Sequence, residues 1–181
     1  MEQTGGPPDG AVVRAVLAGE VEQYAVLVRR YRDRYARYAT QLLGSADAAE
    51  DAVQDAFVRA YDQLAQCRDP DNFAGWFFLI LRNCCFAERR RVQRYGSLQS
   101  APEVAAPDNP EAPLEEAERR KTLQRALLRL TPEQREVFVL KHVEELSYED
   151  IAGRVGTTVA ALKMRMHRAY DRLRELLKET R

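Results

Sequence analysis

Aromatic and arginine side chains are concentrated between residues 73 and 94, a stretch that contains a single acid, Glu88. The aromatics are Phe73, Trp76, Phe77, Phe78 and Phe86, and the arginines are Arg82, Arg89, Arg90, Arg91 and Arg94. Aromatic rings stack on unpaired bases, and guanidinium groups bind the phosphates beside them. The stretch is therefore a candidate surface for separated DNA or RNA strands. A buried helix that ends in a solvated basic turn accounts for the same residues equally well.

A second pattern, near the C-terminal end, is typical of a helix-turn-helix. Ile151, Ala152 and Val155 form an apolar helix face, Gly156 makes a turn, and a longer helix follows from Thr157 or Thr158. In this motif the second helix enters the major groove of duplex DNA.

The second helix of this motif has one apolar and one polar face at 100° per residue. The apolar stripe, predicted to be core, comprises Val159, Leu162, Met166, Ala169 and Leu173. The opposite face carries Ala160, Met164, His167, Arg168 and Asp171, with Lys163 and Arg165 on its flanks. A small residue allows close approach to base edges, cations reach phosphates or guanines, and a methionine suits a thymine methyl. The alternative is a solvated amphipathic helix with incidental lysines.

The composition excludes several classes of protein. Lysine plus arginine and aspartate plus glutamate number 28 each, so the net charge is zero, but the charges are segregated. Residues 96–118 contain acids and no base, whereas residues 163–181 are mainly basic. We therefore do not expect a wholly basic protein that encloses duplex DNA. We expect separate acidic and basic patches on the surface. With no signal pattern and no apolar run of about 18 residues, we expect a cytoplasmic protein without membrane insertion.

The cysteines and histidines do not form a recognisable catalytic or metal site. Cys67, Cys84 and Cys85 are an odd number without a CxxC spacing, which favours buried reduced thiols. His167 has no second ligand at metal spacing and is predicted to face the groove or solvent. A thiol enzyme using Cys84 or Cys85 lacks a Cys/His/Asp arrangement. We expect no enzymatic activity, no metal and no cofactor.

Helical periodicity dominates the chain and predicts an all-α fold. The predicted helices are residues 11–18, 21–43, 47–64, 73–94, 114–130, 131–144, 147–155 and 158–178. Thr131 to Gln134 forms a capping box, and Ser147 to Asp150 resembles a second one. Prolines, glycines and acids between residues 95 and 113 indicate a flexible linker. We therefore predict two small helical domains, residues 11–95 and 114–181, joined by an acidic, proline-containing linker at 96–113.

These parts together resemble the sigma-70 family of bacterial transcription initiation factors, specifically its extracytoplasmic-function (ECF) group. The resemblance covers about Ala11 to Leu177. It rests on the motifs AEDAVQDAF at 49–57, FAGW at 73–76, RN at 82–83, LSYEDIA at 146–152, VG at 155–156 and HRA at 167–169. The motifs are specific together and in this order, whereas the helix-turn-helix alone is not.

The resemblance implies a subunit that binds core RNA polymerase and directs it to promoters. The surface for the clamp helices of the polymerase β′ subunit would comprise Glu50, Asp51, Gln54, Asp55 and Phe57, and the β flap is a further implied contact. Carboxylates and an amide on one helix suit arginines of a partner helix. An anti-sigma factor is also implied as a partner. The alternative is a helix-turn-helix regulator that is not a polymerase subunit.

The resemblance also assigns the two DNA-reading surfaces. The melted −10 element would be bound by Arg68, Asn72, Phe73, Trp76, Phe78, Arg82, Asn83, Arg89, Arg90 and Arg91. Here Asn83 would lie near a flipped base, and residues 68–72 would form the specificity loop. Trp76 and Ile80 can equally be core, so Phe78, Arg82, Asn83 and Arg89 are the better candidates for touching DNA. The −35 duplex would be read by Thr158, Ala160, Lys163, Met164, Arg165, His167 and Arg168.

Three residues depart from the family pattern. Ala87 stands where many members have Asp or Asn, and Cys67 stands where some have an aromatic residue. Met164 replaces a small polar residue. Ala87 and Cys67 lie at the predicted −10 surface, so the −10 base preference cannot be transferred from relatives, and Met164 allows the −35 specificity to be transferred only in part.

Overall fold

A computed structural model describes residues 6–95 and 114–179, and every regular element in these two ranges is helical. The helices are α1 (Asp9–Leu17), α2 (Tyr24–Leu43), α3 (Ala46–Asp62), α4 (Phe73–Tyr95), α5 (Leu114–Leu128), α6 (Pro132–His142), α7 (Tyr148–Val155) and α8 (Val159–Lys178). The predicted all-α fold is confirmed, and each predicted helix is present. The predicted linker lies outside the described residues.

The ends of the helices follow the capping signals in the sequence. Thr131 accepts a hydrogen bond from the Gln134 backbone N–H, and the Gln134 side chain accepts one from Thr131, which completes the predicted capping box. At Ser147 the hydroxyl accepts from the Asp150 N–H and lies 2.6 Å from its carboxylate. Ser45 similarly accepts from the Ala48 N–H, so α3 begins at Ala46, one residue before its predicted start.

Short 3-10 turns lie beside two of the helices. Val21–Gln23 forms such a turn before α2, and Pro70–Asn72 forms another inside the predicted specificity loop. Gly156 ends α7 in the left-handed region, at φ 68°, where a side chain would strain the backbone. This is the turn that the helix-turn-helix pattern requires.

The first four helices enclose an aromatic core. Phe73 and Phe77 are fully buried, and the Phe77 ring stacks on Phe57 with centroids 4.4 Å apart. Tyr35 crosses from α2, contacts Phe77, and donates its hydroxyl hydrogen bond to the Ala74 carbonyl. Buried rings remove large apolar areas from water, so the beginning of α4 is mainly structural.

The last four helices pack around α8. Leu162, Met166, Ala169 and Leu173 are buried, as the predicted apolar stripe requires, while Val159 is half-buried. Ile151 of α7 is fully buried beside this stripe, and the Leu127 and Leu130 side chains cover its far end. The two helices of the motif are thereby fixed relative to each other.

The two halves of the chain are packed against each other. Their buried apolar residues are continuous, from Leu42 of α2 to Leu140 of α6. Arg135, itself buried, donates to the carbonyl oxygens of Leu42 and Leu127, both at 2.7 Å. Arg34 forms an ion pair with Glu144 at 3.0 Å. The α6 helix therefore bridges the two halves.

Two arginines make part of this contact electrostatically costly. Burial, and secondarily the neighbouring Arg89, lower the pKa of Arg135, and burial also lowers the pKa of Arg89. Arg89 Nη1 is buried and finds no hydrogen-bond acceptor among the described residues. An unpaired buried donor costs on the order of 1–3 kcal/mol. The apolar contact between the halves is thus opposed by a local penalty.

No helix in residues 6–95 or 114–179 is both long and apolar enough to span a bilayer.

Candidate nucleic-acid and polymerase interfaces

Some of the residues that were predicted to bind the −10 strand are buried in the structure, and others are accessible. Phe73 and Phe78 were both predicted to contact DNA, but they are 0% and 2% exposed. Phe73 lies against Tyr31, Trp76 and Phe77 in the core. A base cannot stack on a ring that is enclosed, so neither side chain is accessible to DNA in this conformation, and both contacts stay predictions. The sequence had favoured Phe78 over Trp76.

The accessible set lines an open cleft of about 570 Å³. Trp76 is half-buried and contributes one wall, and the exposed Arg68 and Asn72 contribute the loop beside it. Asn83 is also exposed on α4. A wall that combines the Trp76 ring, the Arg68 cation and amide groups can hold a single unpaired base and its phosphate.

The other side of this cleft belongs to the helix-turn-helix. Glu149, Asp150, Gly153 and Arg154 of α7 all line it. The Arg154 guanidinium also lies 5.9 Å from the centre of the Phe78 ring. Part of the burial of Phe78 therefore comes from the second half of the chain.

Arg82 is held by an acid of the other half. Its Nε and Nη2 donate to the two carboxylate oxygens of Glu136 at 2.5 and 3.0 Å, and this pairing raises the pKa of Arg82. Tyr38 donates its hydroxyl to the same carboxylate at 3.4 Å. Burial, and then the charge of Glu136, raise the pKa of Tyr38 well above its ordinary value. Arg82 is thus occupied in the structure by a protein carboxylate.

The remaining arginines of α4 differ in accessibility. Arg89 is half-buried, and its Nη2 donates to the Leu130 carbonyl at 3.4 Å. Arg91 is exposed and pairs with Glu88 through two hydrogen bonds of 2.8 Å. Arg90 is exposed. Of the arginines predicted to hold a strand, Arg90 and Arg91 are directly accessible.

The acidic residues of α3 lie at the surface, as predicted. Glu50, Asp51, Gln54 and Asp55 are all exposed, whereas Phe57 is mostly buried against Phe77. Phe57 nevertheless lines a groove of about 510 Å³ between α2 and α3, together with Val28, Val53 and Val58. The sequence argument missed this groove and the exposed Val58. An apolar residue directly after Phe57 on an otherwise acidic helix was the available signal.

The outward face of α8 is accessible along its first three turns. Ala160, Lys163, Met164, His167 and Arg168 are exposed, and Arg165 is half-buried. Thr158 is exposed and caps the helix by accepting from the Ala161 N–H. His167 lies 3.5 Å from Asp171 at the solvent-facing side. The structure therefore leaves every predicted groove-reading residue at least partly accessible.

The three cysteines are free and buried. Burial raises the pKa of Cys67 and Cys84, and it raises that of Cys85 to about 12. Since the thiolate is the reactive form, these side chains suit packing rather than nucleophilic chemistry.

Comparison with known proteins identifies the family. The model for Sigma-70 region 2 matches residues 27–95, and that for Sigma-70, region 4 matches residues 120–173. The ECF RNA polymerase sigma factor SigE of Mycolicibacterium smegmatis is 34% identical over 181 residues, covering 94% of this chain and 70% of that relative. The chain belongs to the ECF group of the sigma-70 family. The sequence-based resemblance is thereby confirmed.

Other relatives match this sigma factor over most of their length. ECF RNA polymerase sigma factor SigW of Bacillus subtilis is 28% identical, with 92% of this chain and 95% of the relative covered. The RNA polymerase sigma-E factor of Streptomyces coelicolor is 31% identical, with 88% of each covered.

Two solved structures share the fold. The sigma factor RpoE of Bartonella quintana, solved with the anti-sigma factor NepR, is 28% identical with a TM-score of 0.68, and the match covers 88% of this chain and 99% of that one. CnrH, solved with the cytosolic domain of CnrY, is 25% identical with a TM-score of 0.66, and the match covers 94% and 97%. This sigma factor therefore has the helical architecture of its family.

Proposed function

We propose that this sigma factor directs core RNA polymerase to promoters through two separate DNA contacts. Residues 114–181 act as a −35 duplex-binding domain, and residues 11–95 act as a domain that binds core polymerase and the melted −10 strand. The observation that carries this proposal is the two-sided character of α8, whose apolar stripe is buried while its predicted base-reading residues are exposed. Such a helix, fixed by α7 and the Gly156 turn, is suited to the major groove.

The −35 contact is assigned to the exposed side of α8. Ala160 allows the helix to approach the base edges closely, and Lys163 and Arg168 place cations where guanines or phosphates lie. Met164 is 54% exposed. Its thioether can contact an apolar base edge such as a thymine methyl.

The −10 contact is assigned to the cleft beside Trp76 and to Asn83. Arg90 and Arg91 extend this surface with charges that can follow the strand backbone. Phe73 and Phe77 support the surface from inside rather than touching DNA. Arg82 can join the contact once Glu136 releases it.

The core-polymerase contact is assigned to the exposed face of α3 and the neighbouring groove. Glu50, Asp51 and Asp55 offer negative charge, and the groove beside them offers apolar surface at Val58. Charge sets the encounter rate and specificity of such an interface, whereas the apolar centre supplies most of the affinity. A partner helix that carries both arginines and apolar side chains fits this arrangement.

In this proposal the sigma factor works by binding, and the polymerase performs the chemistry. Stacking contributes about 1–3 kcal/mol per captured base, and flipping a base costs a few kcal/mol. Two or three captured bases therefore offset much of the unpairing. The proposed site of action is the cytoplasm, where core polymerase and promoter DNA are present.

Domain separation is a required step of the proposed mechanism. The α7 helix lines the same cleft that would take the unpaired base, and Glu136 occupies Arg82. Both α7 and Glu136 belong to the proposed −35-binding half, so this half must move away before the −10 strand can enter the cleft. Binding of core polymerase is proposed to supply the free energy that separates the two halves.

An anti-sigma factor is proposed as a further partner. The support is the similarity to RpoE of Bartonella quintana, whose structure contains the anti-sigma factor NepR. A protein that stabilised the contact between α4, α6 and α7 would keep the DNA-reading residues of α4 covered.

A binding measurement with core polymerase tests the proposed function against its alternative. Fluorescently labelled sigma factor is titrated with core enzyme, and the complex is then offered promoter DNA. The proposal predicts saturable one-to-one binding to core and promoter binding that depends on core. An ordinary helix-turn-helix regulator would bind its DNA site equally well without core and would ignore the polymerase. That outcome would overturn the proposal.

A further inference from the structure

Leu79 is an exposed apolar side chain inside the −10 cleft. It is 43% exposed and lines the cleft together with Trp76, one turn before it on α4. Single exposed leucines are common on protein surfaces and need no explanation by themselves. The placement of Leu79 is what distinguishes it, because its neighbours in the cleft include a ring, a cation and an amide.

The other groups in the cleft suit a nucleotide better than an apolar peptide. Arg68 can bind a phosphate, while Asn72 and Gln66 can donate to and accept from a base edge. The opposite wall carries Glu149, Asp150 and Arg154 of α7, and the proposed separation of the two halves removes this wall from the cleft. The wall that stays combines the Arg68 cation and the loop amides with an apolar surface, which suits a base and its phosphate.

We propose that Leu79 is a base-contact residue, which forms with Trp76 the apolar floor on which one unpaired base of the melted strand rests. This inference rests on the proposed −10 function of the cleft. Trp76 supplies the ring, Leu79 closes the floor beside it, and the loop amides reach the edge of the base. Leu79 has no hydrogen-bonding group, so it stabilises the captured base by shape and by exclusion of water.

Val92 provides a matched control on the same helix. Val92 is an aliphatic residue of α4, as Leu79 is, and it is 46% exposed. Unlike Leu79, it does not line the cleft. Leu79→Ala and Val92→Ala remove comparable exposed apolar surface from one helix. A difference between the two variants therefore reports the cleft rather than the stability of α4.

The test measures binding of fork-junction promoter DNA to the holoenzyme reconstituted with each variant. One base of the unpaired −10 strand at a time is replaced by an abasic site. We expect Leu79→Ala to weaken binding about tenfold, because it removes three carbons of apolar surface from under the base, and Val92→Ala to change it less than about twofold. At one position of the strand, the affinity losses caused by the abasic site and by Leu79→Ala should not add, because either change removes the same contact. Leu79→Met should restore most of the affinity.

The outcomes separate this inference from the proposed function. If Trp76→Ala weakens fork binding but Leu79→Ala behaves like Val92→Ala, the role of Leu79 is overturned and the −10 cleft stands. The role of Leu79 is also overturned if the affinity loss of Leu79→Ala adds fully to that of the abasic site at every position. If neither Trp76→Ala nor Leu79→Ala affects fork binding, the assignment of the cleft to the −10 strand fails as well.

Discussion

The carboxylate of Glu136 in α6 receives two hydrogen bonds from the guanidinium of Arg82 in α4, at 2.5 and 3.0 Å. The Glu136 side chain is 3% exposed, so the pair is largely removed from water. An arginine predicted to hold DNA is thus bound by an acid from the other half of the same chain. The same guanidinium cannot bind this carboxylate and a DNA phosphate through the same donors.

Removing the charge of Glu136 should favour separation of the two halves. Breaking a buried ion pair costs about 3–5 kcal/mol. Glu136→Gln should therefore markedly increase the fraction of molecules in which the two halves are separated. Fluorescence energy transfer between one dye on α2 and one on α8 would report the distance. Glu175→Gln is the control, since Glu175 is an exposed acid whose ion-pair partner, Arg172, lies on the same helix, α8. Unchanged transfer efficiency in Glu136→Gln would contradict the restraining role of the pair.

Trp76→Ala should impair promoter melting more than polymerase binding. The ring lines the cleft and is half-buried, so its loss removes a stacking surface worth about 1–3 kcal/mol per base. Permanganate reactivity of unpaired thymines measures melting, and a titration with core measures assembly. Trp76→Tyr retains a ring and should keep most of the activity. Equal loss of both properties in Trp76→Ala would contradict the stacking role.

The aromatic residues show where sequence reasoning succeeded and where it stopped. Periodicity, caps and glycine turns located every helix, and the 3.6-residue period identified the buried stripe of α8. The same period ranked Phe78 above Trp76 as a DNA contact, the reverse of their accessibility in the structure, because the beginning of α4 is apolar on all sides. That ranking depends on the tertiary contacts of α2 and α7, which enclose Phe78 and leave Trp76 at the cleft.

The contact between the halves was likewise beyond the sequence pattern. Arg82 and Glu136 are separated by 54 positions, and their pairing depends on how α6 packs against α2. Arg135 lies within the predicted helix 131–144, and the structure shows it buried and hydrogen-bonded to carbonyls of two different helices. Such long-range pairs carry no local signal in one sequence.

Asp51→Arg should weaken binding to core polymerase. Asp51 is exposed at the centre of the acidic face of α3, and a reversed charge would repel a partner that presents arginines. We expect a loss of affinity of about tenfold or more, measured by titration with core at moderate salt. Asp62→Arg reverses an exposed charge at the end of the same helix and should have little effect. Normal assembly of Asp51→Arg would remove this site from the interface.

Arg168→Ala should weaken promoters specifically through their −35 element. Arg168 is exposed on the outward face of α8, and a base or phosphate contact of an arginine is worth about 1–3 kcal/mol. Footprinting of the −35 duplex measures the effect. Arg174→Ala is the control, because Arg174 lies on the same helix but pairs with Asp171 at 2.9 Å. Footprints that remain identical in Arg168→Ala would refute the groove assignment.

Cys85 should make the chain less stable in alkaline solution. Burial raises its pKa from 9.0 to about 12, so the folded chain retains a proton that the unfolded chain loses. The free energy of unfolding should therefore fall as pH rises from about 9 toward 12, by up to about 1.4 kcal/mol per pH unit from this group. Denaturant titrations between pH 8 and 10 measure the slope before most tyrosines ionise. Cys85→Ala should flatten it, and an equally steep decline would contradict the assignment.

Run-off transcription on a promoter library tests the central claim most directly. Core polymerase is supplied with or without this sigma factor, and the transcribed templates are sequenced. We predict transcripts that depend on the sigma factor and come from templates sharing two short sequence elements, one at −35 and one at −10. In the same assay Arg168→Ala should relax selection at the first element, and Trp76→Ala should reduce output from all templates. Transcripts no different from those of core polymerase alone would contradict the account.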